Sequence, residues 1–378
     1  MVESLPVDQS VGPQSPDALR DSEETIRDVL LAHATRLGLA AIPRMSDRRK
    51  HLLLGGRSVT VDGNTLDTTM QFMLTTQRLA GLPGLVADHD PEHGVAVSRA
   101  KLRETAAMMR MPIHVDVSDI SIPGPAGPLA ARRYVPVERG SASALVLYFH
   151  GGGFVIGDLE VHDNLCRLIC RDGDVQVVSV DYRLAPEHKA PAAAEDAYAA
   201  YQWALEHAGG LGASRIVVAG DSAGGNLAAV VSQWARDDEL PLPALQVLLY
   251  PITDWVSETR SRTLFSDGYF LNRQDMDWFA GHYLDGADVT PEDPAVSPLL
   301  AEDLSGLPPA LVVTAGFDPL RDEGNRYAAA MRDAGVLVDL REERSMIHAF
   351  ANFFPLGGGG AAATTAMISA LRAHLRHV

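Results

Sequence analysis

Cysteine is nearly absent from this chain. Its 378 residues hold two, Cys166 and Cys170, too few for a disulfide framework or a thiolate-built zinc site. Their i, i+4 spacing in "NLCRLICRDG" predicts two thiols on one buried helix face rather than a redox pair. Long apolar runs are missing as well. No stretch approaches the roughly 18 residues of a membrane span, and the opening "MVESLPVDQS" has neither a basic nor an apolar signal region. The expected location is the cytoplasm. Positive charge is scarce: 32 Lys and Arg face 49 Asp and Glu, a formal charge of −17. That balance argues against a nucleic-acid or anionic-membrane surface and for an uncharged or small organic partner.

With 46% hydrophobic and 21% charged residues, the chain has the composition of a globular protein with a large core. Its length predicts one large domain with an accessory lobe, or two domains. Residues 1–20 are rich in proline, serine and acid, as a poorly ordered leader would be. From Asp21 the pattern turns helical through Ile26, Val29, Leu30 and Leu37, with Asp21 and Glu24 spaced as an acidic capping box. Further helices are predicted around Leu66, Met70, Met73 and Gln77, and from Val97 to Met109. Residues 1–112 therefore read as a leader and a mostly helical lobe.

The texture changes after residue 112. "IHVDVSDISIP" and "LAARRYV" alternate as antiparallel strands do, with "GPAG" between them as a turn. Short apolar runs then alternate with helical segments: "ALVLYF", "VQVVSVDY", "RIVVAG", "ALQVLLY", "ALVVTAG" and "VLVDLRE". This is the pattern of a mainly parallel sheet covered on both faces. Residues 251–298 interrupt it with no good strand but with Trp255, Phe265, Tyr269, Phe270, Trp278, Phe279 and Tyr283. They predict a helical insertion packed on the N-terminal lobe, its aromatics forming core singly and a pocket wall as a group. The glycine run "GGGGAAATT" (357–365) lacks a following Lys-Ser/Thr and reads as a flexible loop.

One pentapeptide carries chemistry. Gly220-Asp221-Ser222-Ala223-Gly224 lies between the strand "RIVVA" and the helix "NLAAVVSQWA", the setting of a nucleophile elbow, where the turn is tight enough to favour glycine at its flanks. Serine needs a base, and that base needs an acid to hold its tautomer. Strand-end positions supply both: Asp318 follows "ALVVTAG" and His348 follows "VLVDLREERSM". Asp322 and Glu323 are rival acids, but they sit further into an amphipathic helix; His150, His162, His188 and His282 are less well placed as base. "FHGGGF" (149–154) follows the strand "ALVLYF", so the amides of Gly152 and Gly153, with that of Ala223, are the expected donors to a developing oxyanion. Its glycines do not make a nucleotide-binding G-x-G-x-x-G.

Together "HGGGF", "DYRLAPEH" (181–188), "GDSAGG", "DPLRDEG" (318–324) and "IHAF" (347–350) resemble the hormone-sensitive-lipase-type family of bacterial esterases, in the group carrying GDSAG, over residues 113–378. The resemblance implies an α/β-hydrolase core made of residues 113–250 and 299–378, with a helical cap from residues 1–112 and 251–298. It implies a carboxylesterase acting on short to medium acyl chains without a metal or organic cofactor. Residue by residue it implies a triad of Ser222, Asp318 and His348 and an oxyanion loop of His150, Gly151, Gly152 and Gly153. It also implies that "DYRLAPEH" braces that loop, with Arg183 and Glu187 placed to pair locally. A homodimer through an edge strand near 336–342 is a further implication. The segment 51–73 matches none of the family's motifs, so cap shape and substrate size stay open. Two other readings use the same residues: an amidase or deacetylase with the same triad, and a hydrolase-fold protein that binds a ligand without cleaving it.

Overall fold

Runs of branched apolar residues with no polar alternation can only be buried on both faces, and here they form the centre of one sheet. A computed structural model describes Gly38 and residues 41–137 and 144–377. The helix expected between Ile26 and Leu37 lies outside the described residues. Among the described residues, the main sheet has eight strands, β1 (Asp116–Gly124), β2 (Gly127–Val135), β3 (Ala144–Phe149), β4 (Gln176–Val180), β5 (Arg215–Asp221), β6 (Leu245–Leu249), β7 (Ala310–Phe317) and β8 (Val338–Ile347). Their spatial order is β8-β7-β6-β5-β3-β4-β2-β1. The first two form the predicted hairpin, Gly124 pairing with Gly127 across the turn, and β2 meets β4 antiparallel. All other neighbours run parallel.

Side-chain alternation along β3 divides the core in two. Leu145, Leu147 and Phe149 join Ala197, Leu227 and Tyr327 on one face of the sheet. Ala144, Val146 and Tyr148 join Cys166, Ile169 and Ile368 on the other. The first face is thus covered by α5 (Ala192–His207), α6 (Ala223–Asp237) and α9 (Arg321–Asp333), the second by α4 (Asp163–Gly173) and α10 (Gly358–His377). Each fully buried branched side chain adds about 1.5–3 kcal/mol, so the sheet is the rigid part on which the loops depend. Cys166 and Cys170 are buried free thiols on α4, and burial pushes both above their ordinary pKa.

The glycine run is not a loop. Helix α10 begins at Gly358, and the amide of Gly359 donates to Asp67 Oδ2 at 3.2 Å. The absence of side chains lets this first turn lie against Asp67, Thr69 and Met70; a methyl group on Gly358 would come within 2.1 Å of Thr69 Oγ1. Close packing here outweighs the low helix propensity of glycine.

Among the described residues, the α-helices that precede the sheet are α1 (Asp47–Leu53), α2 (Thr68–Leu79) and α3 (Gly94–Met108). Asp67 caps α2 by accepting from Thr69 N and Met70 N. Between β6 and β7 lie the short α7 (Arg260–Leu264) and α8 (Arg273–Leu284), the latter started by an Asn272/Asp275 capping box. The two segments touch: Leu85 N donates to Phe270 O at 3.3 Å, and His89 Nε2 lies 2.8 Å from Asp275 Oδ1. Among the described residues no helix is long and apolar enough to cross a membrane.

Candidate active site

Parallel strands bring their carboxyl ends to one edge, and four of them deliver their next residues to the same place. His150 follows β3, Ser222 follows Asp221 at the end of β5, Asp318 follows β7 and His348 follows β8. Ser222 turns the chain from strand to helix with φ 55° and ψ −115°, a strained conformation for a residue with a side chain. It is held by Ser222 N donating to Leu249 O at 2.8 Å. The flanks of the turn have no room to spare: a methyl group on Gly224 would come within 1.9 Å of Phe149 O.

The three residues expected to act together are in contact. His348 Nδ1 donates to Asp318 Oδ2 at 2.8 Å, which leaves Nε2 to accept from Ser222 Oγ at 3.0 Å. Asp318 Oδ1 accepts from Leu320 N at 2.8 Å, so the carboxylate cannot rotate away. All three side chains are buried from bulk water. The rival acids are occupied elsewhere. Asp322 accepts from Ser261 N and pairs with Arg321, while Glu323 accepts from Thr253 N and pairs with Arg262 at 2.8 Å.

The glycine loop lies beside Ser222. Gly152 and Gly153 have φ of 121° and 60°, and a methyl group on Gly153 would meet the Phe279 ring at 2.3 Å. Gly151 and Gly152 line a cavity of about 480 Å3 together with Ser222 and His348. Gly153 lines a separate small chamber with Ser222. Ala223 is fully buried as the first residue of α6, where helix amides carry a partial positive charge. The His150 side chain lies in neither wall. Its ring is fully buried behind the loop, stacked on Tyr182 at 4.3 Å, and its Nδ1 donates to Gly151 O at 2.8 Å. Burial and the neighbouring His162 hold it down at about 4, so it is uncharged near neutrality.

"DYRLAPEH" braces the loop, but not through a pair between Arg183 and Glu187. Arg183 binds Asp196 at 2.8 Å and Glu195 at 3.1 Å, because both acids lie on the first turn and a half of α5, which begins directly below it. Glu187 instead receives Arg99 of α3 at 2.6 Å. The bracing itself is made by Tyr182 OH, donating to His150 O at 2.6 Å, and by Ala185 N, donating to Phe154 O at 2.8 Å.

Sequence reasoning missed the carboxylate beside Ser222. Asp221 accepts from Tyr148 OH at 2.7 Å, Gly151 N at 2.9 Å and Asn352 Nδ2 at 3.0 Å, with His162 Nε2 at 3.4 Å. Burial alone would raise its pKa, but His162 with the Tyr148 and Asn352 donors outweighs burial and holds it at about 2. Burial likewise works against the His162 charge, and Asp221 more than offsets it, raising the imidazole. The signal in the sequence was Asp221 itself, an acid inside the elbow motif; its partners come from four segments that no spacing rule connects.

The main cavity is walled largely by the N-terminal helices: Phe72 and Met73 from α2, Leu102 and Ala106 from α3, with Phe270 from the later insertion. Of the seven clustered aromatics, Phe270 faces this cavity and Trp255 and Phe279 face the small chamber, while Phe265 and Tyr283 are packed core.

Comparison with known proteins agrees with this geometry. A family profile described as the alpha/beta hydrolase fold matches residues 146–352. Carboxylic ester hydrolase LipN of Mycobacterium tuberculosis is 55% identical over 350 residues, covering 90% of this chain and 92% of its own. Esterase LipI of the same organism is 42% identical over 287 residues, 74% of this chain and 89% of its own. Among solved structures, the Pyrobaculum calidifontis esterase is 42% identical with a TM-score of 0.70, covering 76% of this chain and 94% of that one. With its parallel sheet, its elbow serine and these relatives, the chain belongs to the α/β-hydrolase fold family and, within it, to the hormone-sensitive-lipase-type carboxylesterases, enzymes that hydrolyse carboxylic esters.

Proposed function

We propose that this chain hydrolyses short- to medium-chain carboxylic esters through an acyl-enzyme on Ser222. The observation that carries the reading is the continuous hydrogen-bonded line from Asp318 through His348 to Ser222, at 2.8 and 3.0 Å, opening on an apolar cavity. His348 takes the proton of Ser222 Oγ as the oxygen attacks the ester carbonyl, then returns it to the departing alcohol; Asp318 holds the imidazole and stabilises its charged form. The amides of Gly152, Gly153 and Ala223 receive the oxyanion, and His150 supports them from behind the loop. Water then releases the acid by the same path.

The test is initial rates of the purified protein and its Ser222→Ala variant on p-nitrophenyl esters from acetate to palmitate. Serine-dependent turnover greatest at short chains is expected. Turnover by Ser222→Ala within tenfold of the parent would overturn the assignment. The same proposal places the enzyme in the cytoplasm, in keeping with two free thiols. It also pairs two copies along β8, one of the two edge strands of the sheet; light scattering coupled to size-exclusion chromatography reads that directly, a monomer mass arguing against it.

A further inference from the structure

Ser222 stands where two spaces of very different size meet. One is the cavity of about 480 Å3, and His348 is part of its wall. The other holds about 20 Å3 between Gly153, Ile252, Trp255, Leu271, Phe279 and Leu320, and His348 is not part of its wall. The larger volume suits a ligand of drug-like size. The smaller has room for about one water-sized group.

The small chamber is small because its walls are packed core. The Phe279 ring abuts the Gly153 backbone so closely that a methyl group there would meet it at 2.3 Å. Trp255 backs onto Phe154 and Tyr283, which stack face to face at 4.0 Å. Arg262, also in the wall, is held by its ion pair with Glu323 at 2.8 Å. Widening such a space means moving close-packed aromatic rings, which protein interiors resist.

Chemistry decides which half of an ester goes where. In acylation the Ser222 Oγ–carbonyl bond forms, the carbonyl–alkoxy bond breaks, and the proton taken from Oγ passes from His348 Nε2 to the alkoxy oxygen. That oxygen must therefore lie within hydrogen-bond reach of His348, and the alcohol half extends into the space that His348 lines. The acyl substituent, on the same carbonyl carbon, is left with the space that His348 does not line. In deacylation water follows the alcohol's route and the short acid is released.

We infer that the enzyme is built for esters joining a very short acyl group, acetyl or propionyl, to a bulky apolar alcohol, with Phe279 and Leu271 setting the acyl limit. This rests on the assignment of Ser222 and His348 made above. The test compares octyl acetate with ethyl octanoate, isomers that differ only in which half is long. Octyl acetate is expected to be preferred in kcat/KM by at least about 30-fold. Phe279→Ala and, as a milder opening, Leu271→Ala are each expected to shift that ratio toward ethyl octanoate by about tenfold or more. A ratio near one or reversed in the parent enzyme overturns the inference, as does a ratio that neither folded variant moves. Octyl acetate turnover that survives Ser222→Ala is a different result, and overturns the assignment of the nucleophile and this inference with it.

Discussion

His162 Nε2 lies 3.4 Å from Asp221 Oδ1, and both side chains are almost completely buried next to Ser222. Asp221 joins β5 to β3 through Tyr148, to the glycine loop through Gly151 and to the turn after His348 through Asn352. One carboxylate thus sets the spacing between Ser222, the glycine loop and the segment that carries His348. His162 supplies the positive charge that lets it stay ionised without water.

Removing His162 strands Asp221 as a buried charge without its counter-ion, which costs about 3–5 kcal/mol, whereas removing the Asp221 charge lets the buried imidazole turn neutral. His162→Gln is therefore expected to lose stability on that scale in urea unfolding, and Asp221→Asn to lose less. The pH dependence has a definite sign. The Asp221 contribution is complete above pH 3.8 and is lost as pH falls through about 2. The His162 contribution is complete below pH 6.5, its ordinary value, and fades as pH rises through its raised one. Its other close neighbours, His150 and Tyr148, stay uncharged through that range, and Asp158 stays ionised beside Arg103. As pH rises above 6.5 the parent protein should therefore lose stability relative to His162→Gln; parallel curves for the two would refute the pairing.

The rival acids give a second prediction. Asp318→Asn keeps the shape of the site but presents His348 Nδ1 with an amide, and a fall in kcat on the order of 10⁴-fold is expected if Asp318 orients the base as proposed. Asp322 touches Ser261 and Arg321 and lies outside that line, so Asp322→Asn should stay within about tenfold of the parent. Steady-state kinetics on p-nitrophenyl acetate with both variants decides it: the opposite ranking would transfer the role.

Much of the sheet was legible because strands buried on both faces leave continuous apolar runs, and "ALVLYF" became β3 residue for residue. The site residues stood out for a related reason: Ser222 and Asp318 come just beyond the end of such runs, and His348 just beyond the more polar edge strand β8. Contacts between distant segments left no comparable trace. Arg183 and Glu187 are four apart and of opposite charge, yet Arg183 reaches α5 and Glu187 receives Arg99. The glycines at 357–360 read as loop because propensity speaks against helix, while the reason for them, the close approach of Asp67 and Thr69, lies almost 300 residues earlier. The walls of the main cavity were equally hidden, since residues such as Phe72, Met73 and Leu102 show only helical periodicity until the helices are placed over Ser222.

Arg99 gives the last prediction. From α3 it donates to Val155 O at 2.8 Å, to Ala185 O at 2.9 Å and to both carboxylate oxygens of Glu187. It thereby joins a helix that walls the cavity to the segment after the glycine loop and to the motif that braces that loop. Its side chain is one-quarter exposed and Glu187 about half, so the ion pair itself is worth little in salt, about 0–1 kcal/mol. The two bonds to backbone carbonyls are the stronger tie, about 1.5–3 kcal/mol each for a charged donor. Arg99→Lys keeps the charge but cannot reach three acceptors at once, whereas Glu187→Gln removes only the ion pair. Arg99→Lys should therefore raise KM for an ester with a bulky alcohol several-fold and lower the melting temperature, and Glu187→Gln should do much less of both. If Glu187→Gln proves as damaging as Arg99→Lys, the charge pair and not the carbonyl contacts holds α3 over the site, and the KM effect should then grow with added salt.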